Sequence, residues 1–422
     1  MIVVATLLLG GCEQLVGSED DSDTDESVGE VEVLHWWTSG GESAAVDVLK
    51  TRLQEQGVTW QESTIGDGSA STIEELQSRV ESGNPPTAVQ MLGFDIQYWA
   101  QADALANLSN VAQDEDWGDV VPSAVQEFSI HNGDWVAVPV NLHSTNWIWA
   151  NAPIMNQLNI DQPTNWSDFT AALQSAQDDG KTALAHCNQQ WQTSTIFEAV
   201  VLQTGGPQFY ADALNEPIEA NTLDSSTMED VFTKMAELRS YADIDTTDCN
   251  WPNATAMVAD GSALFQMMGD WAKGEFFNAD LAVDEDFTGF RTPGTSNSVL
   301  FNSDQFAMFK VPEDEQAAQE VLARETLSPE FQIAFNTVKG SIPARTDLSM
   351  DEFTPIGQAA MQQLKSAEST GTLLGSFTHD HGAPSKIVNA MAAVVQSHFN
   401  GEYSSAAEAA DELKTAYTNA TN

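Results

Sequence analysis

The stretch from Val31 to Leu92 switches repeatedly between two periodicities, and that switching restricts the chain to a small set of folds. Val31–Trp37 is β-branched and aromatic and stops at Gly40-Gly41, as a strand does. Ser43–Gln56 then sets Ala45, Val48, Leu49 and Leu53 on one helical stripe, closed by Gly57. Val58–Ser63 reads as a second strand. Ile73, Leu76 and Val80 mark a second helix that ends at Gly83 and Pro85-Pro86, and Thr87–Leu92 is a third strand. A β-α-β-α-β order of this kind predicts an α/β fold, with mostly parallel sheets and right-handed crossovers.

Further along, Trp135–Val140 reads as a strand that leads into Asn141–Trp147, and Ala263–Met268 as another. Gly269-Asp270 follows as a turn, with Asp270 placed to cap the helix that begins at Trp271. Gln305–Val311 alternates like a strand. Glu313–Val338 is expected to be helical, with Ala317, Val321, Leu322, Leu327, Phe331 and Phe335 on its core face, and Asn389–Tyr417 is a last helical region.

The N-terminus is of a different kind. Ile2–Leu9 is apolar but far shorter than the ~20 residues that span a hydrocarbon core. It fits the apolar part of an export signal, although no basic residue precedes it. Leu9-Gly10-Gly11-Cys12 resembles a lipobox, the site at which bacterial lipoproteins are cut before a lipid-bearing cysteine. A hydrophobic strand with a chance cysteine is the plainer alternative. Residues 1–12 are therefore expected to be a lipoprotein signal, with lipid on Cys12. Residues 13–30, rich in Asp, Glu, Ser and Gly and free of basic residues, are expected to be a solvated tether. This places the body on the extracytoplasmic face of a membrane.

The charge balance is extreme: 63 acidic residues against 15 basic ones, a formal net charge of −48. Nucleic-acid binding is excluded in practice, because it depends on Lys and Arg neutralising phosphates. Peripheral attachment to anionic lipid is disfavoured for the same reason. A surface so acidic repels itself in dilute buffer and is relieved at molar salt, which suggests a salt-rich habitat; a merely acidic surface is the alternative. Besides Cys12 the chain holds Cys187 and Cys249, which in an oxidising compartment invite one disulfide, with two buried free thiols as the other possibility.

Signals for catalysis are missing. There is no Gly-x-Ser-x-Gly, no His-Glu-x-x-His, no phosphate loop and no Gly-x-Gly-x-x-Gly, and no cofactor is expected. His379-Asp380-His381 has histidines at i and i+2, which point to opposite sides of a strand, so no metal site is expected either. With so many acids, carboxylate pairs suited to glycoside hydrolysis carry no information.

What stands out instead is tryptophan: 12 of them, against 5 tyrosines. Trp36, Trp37, Trp191, Trp251 and Trp271 sit at predicted strand ends or beside glycines, where open α/β sheets bind ligands. Indole faces match the C–H faces of pyranoses, and carboxylates, amides, Lys and His match the hydroxyls. Trp60, Trp99, Trp117, Trp147, Trp149 and Trp166 are assigned to core packing.

From about Val31 onward the chain resembles the extracellular solute-binding proteins of sugar ABC transporters, family 1, and especially bacterial glucose-binding proteins. The likeness rests on Val33–Glu42, Gly83–Ala88, Asn141–Trp147, Met268–Ala272, Phe301–Phe306 and Lys339–Arg345, in family order. It implies a two-lobed periplasmic-binding-protein-like fold (type II) with three hinge crossings. Lobe 1 would be 31–140 plus 297–345 and lobe 2 would be 141–296 plus 346–422, closing on one monosaccharide. Carried over by position, Trp36, Trp251 and Trp271 would stack on the sugar, and Glu42, Asp304, Lys339 and His379 would bond its hydroxyls. Trp37 is a weaker candidate, because neighbours on a strand face opposite ways. Where relatives often offer Lys or His after the third strand, this chain has Leu92-Gly93, which leaves the identity of the sugar open.

The leading expectation is thus capture of a glucose-like monosaccharide by a monomeric, lipid-anchored subunit and delivery to an ABC permease, without catalysis. A secreted carbohydrate-active enzyme and a sugar-binding module serving a chemoreceptor are the competing classes.

Overall fold

Strand Gly29–His35 pairs in parallel with Val58–Thr64 on one side and Ala88–Met91 on the other. Helices Gly40–Glu55 and Ser69–Glu81 form the two crossovers, so the opening alternation folds as its periodicity requires. The computed structural model describes residues 27–66, 68–243 and 249–422; Cys12 and most of the acidic segment lie outside the described residues. Helix Gly40–Glu55 buries Ala45, Val46, Leu49 and Leu53, a stripe of i, i+4 and i+8 positions, against this sheet.

The sheets are mixed rather than mostly parallel. Gln305–Met308 enters the first sheet between Ala88–Met91 and Ala137–Pro139 and runs antiparallel to both. A second sheet has the order Phe287–Arg291, Trp147–Asn151, Ala263–Met267, Thr182–Leu184, and only its last pair is parallel. The reason lies in the connections. Parallel pairing needs a crossover helix that returns to the same sheet, and Gln305–Met308 arrives from elsewhere in the molecule.

That other region is a third sheet, Ile342–Pro343, Asn141–Ser144, Val299–Asn302 and Leu373–Gly375, placed at the joint. The chain passes between the first and third sheets at Val140, at Ser303-Asp304, and at Gly340-Ser341 after helix Pro329–Lys339. Asn141, His143, Asp304 and Lys339 are gathered at the joint by these passages.

Among the described residues there are two hydrophobic clusters. One surrounds the first sheet, with Trp99, Trp117, Phe306, Phe309 and Phe335, and continues past the third sheet to Trp147, Trp149 and Phe287 of the second. The other surrounds the second sheet and includes Phe169, Phe197, Tyr210, Phe232 and Phe265. Trp99, Trp117, Trp147 and Trp149 are buried, Trp60 and Trp166 partly so. Two helical expectations divide. Glu313–Val338 becomes Gln316–Thr326 and Pro329–Lys339, because Ser328 caps the second helix and Pro329 opens it. Asn389–Tyr417 becomes Ser385–Phe399 and Ala406–Thr421, separated at Gly401, whose φ is +79°.

Two more features bear on function. Cys187 and Cys249 are joined in a disulfide with Cα atoms 5.1 Å apart. Helix Ala272–Asn278 packs closely, at three glycines, against helix Gly40–Glu55 on one side and the C-terminal end of helix Pro329–Lys339 on the other. A Cβ on Gly41 would lie 2.6 Å from the carbonyl carbon of Gly274. One on Gly274 would lie 2.8 Å from the Lys339 oxygen, and one on Gly340 2.7 Å from the Lys273 Cβ. Among the described residues no helix is long and apolar enough to cross a membrane.

Candidate functional site

The site is best built outward from Asp304, which lies in the passage between strands Val299–Asn302 and Gln305–Met308. Its Oδ1 accepts from Gln90 Nε2 at 2.8 Å. Its Oδ2 accepts from Asn141 Nδ2 at 3.0 Å and lies 3.2 Å from His143 Nε2. The Asp304 amide donates back to Asn141 Oδ1 at 3.2 Å. Asn141 and His143 sit two apart on one strand and therefore share a face.

His143 faces a second carboxylate. Its Nδ1 lies 2.5 Å from Asp270 Oδ1, and Asp270 Oδ2 accepts from the Ser144 amide at 3.2 Å. This corrects the expectation that Asp270 caps the following helix. That helix, Ala272–Asn278, has Trp271 at its cap, and the buried Asp270 carboxylate turns inward to the imidazole. Burial lowers the His143 pKa, but the charge and hydrogen bond of Asp270, joined by Asp304, overcome it and hold His143 above the ordinary range. For Asp304 burial works against the charge. The hydrogen bond and charge of His143, then Lys339 and Gln90, outweigh it and hold the carboxyl well below the usual carboxylate range. The result is a buried row in which the His143 imidazole bridges the side chains of Asp270 and Asp304.

Aromatic rings wall this row. Trp271 lies edge-to-face with His143 at 5.1 Å and with His379 at 5.2 Å, and Trp191 stands 6.3 Å from both Trp271 and His379. His379 is held neutral: burial, with His381 and His143 nearby, pushes it down to about 3. Its Nδ1 lies 2.8 Å from Ser376 Oγ. His381 turns the other way, accepting the Ser303 amide at Nε2 (3.2 Å) and meeting the His379 carbonyl through Nδ1 (2.7 Å).

On the first-sheet side, Trp36 is half-buried at the end of its strand, and its amide donates to Gln90 Oε1 at 3.0 Å. Glu42 and Lys339, both buried, pair at 3.3 Å. The same Glu42 carboxylate receives the Thr38 and Ser39 amides at 3.2 Å each, fixing the start of helix Gly40–Glu55.

Of the sequence-predicted residues, Asp304 and Trp271 are thus linked through His143, His379 adjoins Trp271, Trp36 joins Asp304 through Gln90, and Glu42 is paired with Lys339. Trp251 opens helix Trp251–Ala259 beside Cys249, half-buried, and its ring makes none of the ring contacts above. Trp37 is a correction: it is buried in the first core against Phe306 and Phe335, at 5.9 and 5.5 Å, on the opposite face of its strand from Trp36. Sequence reasoning missed Gln90, Asn141, His143 and Asp270 as members of the polar row. The i, i+2 spacing of Asn141 and His143, which puts both on one face of a short strand, was the available signal. Chemically, the arrangement offers aromatic edges and faces beside oriented donors and acceptors, which suits recognition of a compact polyhydroxylated ligand.

Residues 38–323 match the model of the bacterial extracellular solute-binding protein family. A probable sugar-binding periplasmic protein of Brucella melitensis is 46% identical over 406 residues, covering 96% of each chain. One of the same description from Rhizobium meliloti is 48% identical over 387 residues, covering 92% of this chain and 93% of that one. Among solved structures, the bacterial solute receptor AcbH, described as exclusive for β-D-galactopyranose, superposes with a TM-score of 0.77 at 18% identity. It covers 93% of this chain and 98% of its own. A chitin oligosaccharide binding protein superposes with a TM-score of 0.78 at 17% identity, with the same coverages. At these identities the structural likenesses bear on the two-lobed fold alone.

Proposed function

Because this chain belongs to the bacterial extracellular solute-binding protein family, we propose that it is the periplasmic sugar-capturing component of an ABC importer, and that its ligand is a single pyranose, glucose first. The observation that carries this reading is the row Asp270–His143–Asp304 under Trp271, placed at the third sheet, where the chain passes to and from the first sheet. Relatives that share nearly half of its residues are described as sugar-binding periplasmic proteins, which supports the same class of ligand. The preference for a glucose-like monosaccharide rests on the aromatic and polar set carried over from the sequence.

Mechanistically, the lobes (31–140 with 297–345, and 141–296 with 346–422) close on the sugar, and the closed form docks on the permease. Binding drives closure only through its higher affinity for the closed state. Every hydroxyl buried on closure needs a partner, which the prearranged carboxylates, Lys339 and His379 supply.

Calorimetric titration with a panel of mono- and disaccharides in molar salt tests this. Trp271→Ala should weaken binding by roughly ten- to a hundredfold, the loss of an aromatic contact worth ~1–3 kcal/mol. Asp304→Ala should do comparable harm. Trp166→Phe, far from the row, should bind as the parent does. If folded Trp271→Ala and Asp304→Ala proteins both retain parental affinity, this site assignment is wrong. If the parent takes up no sugar at all, the sugar reading is wrong.

A further inference from the structure

Behind His379 lies another buried carboxylate, one that the proposed binding reaction does not touch. Glu198, on helix Gln190–Leu214, has no solvent exposure. It accepts from Ser376 Oγ at 2.9 Å on both oxygens, from the Thr378 amide at 3.1 Å, and from Thr145 Oγ1. Ser376, equally buried, sits 2.8 Å from His379 Nδ1. The neighbouring Tyr210 hydroxyl receives the Phe377 amide at 3.1 Å and gives its proton to the Gly375 carbonyl at 3.0 Å, which holds the loop in place.

We propose that Glu198 and Ser376 are positioning residues that fix which nitrogen of His379 carries the proton, so that His379 Nε2 meets the ligand as an acceptor and selects a hydroxyl that donates. The polarity follows from counting protons. Burial raises the Glu198 pKa, while the hydrogen bonds from Thr145, Thr378 and Ser376 favour its charged form; ionised, the carboxylate only accepts, and a serine hydroxyl has one proton to give. With that proton on Glu198, the Ser376 oxygen faces Nδ1 with a lone pair, so Nδ1 bears the hydrogen. A neutral imidazole carries one N–H, and Nε2 is left bare. Among the described residues Nε2 makes no hydrogen bond, and the ring stands beside Trp271 and Trp191. A proton on Glu198 would reverse the order: the acid would donate to Ser376, Ser376 to Nδ1, and Nε2–H would point at the ligand as a donor. The two states therefore demand ligands of opposite polarity at this position.

This inference deepens the sugar-binding reading and rests on it, so the test reads the two separately. Nitrogen-15 NMR of the His379 ring, assigned by loss of the signal in His379→Gln, reports the tautomer of the folded full chain with and without glucose. The Nδ1–H form is expected in the parent. Ser376→Ala should release the ring to the Nε2–H form or a mixture and weaken sugar binding by roughly tenfold, the value of about one hydrogen bond. Ser376→Thr, which keeps the hydroxyl, should restore both tautomer and affinity. A parent showing Nε2–H overturns the proposal, and does so even if Ser376→Ala fails to fold. So does a folded Ser376→Ala protein with unchanged tautomer and affinity. A parent that shows Nδ1–H but binds no sugar leaves the relay standing and sinks the sugar reading instead.

Discussion

His143 holds two carboxylates at once, so a substitution there unpairs both. Removing one partner from a buried charge cluster strands the others and costs ~3–5 kcal/mol. Other histidines are buried without such compensation, and their behaviour with pH has the opposite sign. His186 packs edge-to-face on Phe399 at 5.1 Å with Nε2 3.0 Å from Thr193 Oγ1, and burial pushes it down to about 4. The unfolded chain, with an ordinary pKa of ~6.5, binds the proton more readily, so this residue's contribution is full above that pH and is lost as pH falls toward about 4. At ~1.4 kcal/mol per unit the loss amounts to ~3 kcal/mol. His186→Gln lacks the term. Urea unfolding at pH 7 and pH 4 should therefore show the stability gap between parent and variant shift by about that amount in the variant's favour on acidification. A gap that stays constant would rule out a neutral buried His186.

At the scale of elements, the Cys187–Cys249 bond ties the start of helix Gln190–Leu214, which carries Trp191 and Glu198, to the start of helix Trp251–Ala259. The cysteines are 62 residues apart in sequence, a loop whose closure in the unfolded chain is worth ~2–4 kcal/mol. Replacing both cysteines with alanine should lower stability by that amount in chemical denaturation, and a loss under ~0.5 kcal/mol would show that the bond constrains nothing that matters. The elements also show where a sequence speaks and where it is silent. Val31–Trp37 and the stripe Ala45, Leu49, Leu53 are legible because local period fixes them. The antiparallel insertion of Gln305–Met308 between Ala88–Met91 and Ala137–Pro139 is not, since its partners lie well over a hundred residues away and pairing leaves no mark on either strand's composition. The break at Ser328-Pro329 was written in plain capping chemistry and was masked by the apolar spacing that continues across it. In the site, Trp271 and Asp304 were accessible through family likeness. Gln90, Asn141 and His143 were hidden because a polar residue in a short strand looks the same whether it faces solvent or a buried carboxylate. Trp37 misled for a related reason: two adjacent indoles differ only in which face of the strand they take.

For the molecule as a whole, the net charge of −48 sets the first expectation. Repulsion among surface carboxylates is screened as the Debye length falls from ~10 Å at 0.1 M to ~3 Å at 1 M salt. The melting temperature should climb as NaCl is raised from dilute to molar, and a flat profile would remove the case for adaptation to salt. A second expectation concerns the place where Gly41, Gly274 and Gly340 let three segments pack backbone to backbone. A single methyl group there acts as a shim under a door. With Gly274→Ala the new carbon would stand 2.8 Å from the Lys339 carbonyl oxygen, and under the proposed closure of the lobes the overpacking would tax the shut geometry by ~1–3 kcal/mol through backbone rather than through a ligand-facing side chain. Apparent affinity is intrinsic affinity scaled by the fraction of molecules able to shut, so all sugars should weaken by one common factor of roughly five to a hundred and fifty. Their rank order should survive unchanged, and a reshuffled order would place the glycines in selectivity instead. The tightness of this receptor and its choice of cargo are then separate dials, and the first can be turned through a backbone contact rather than through a ligand-facing side chain.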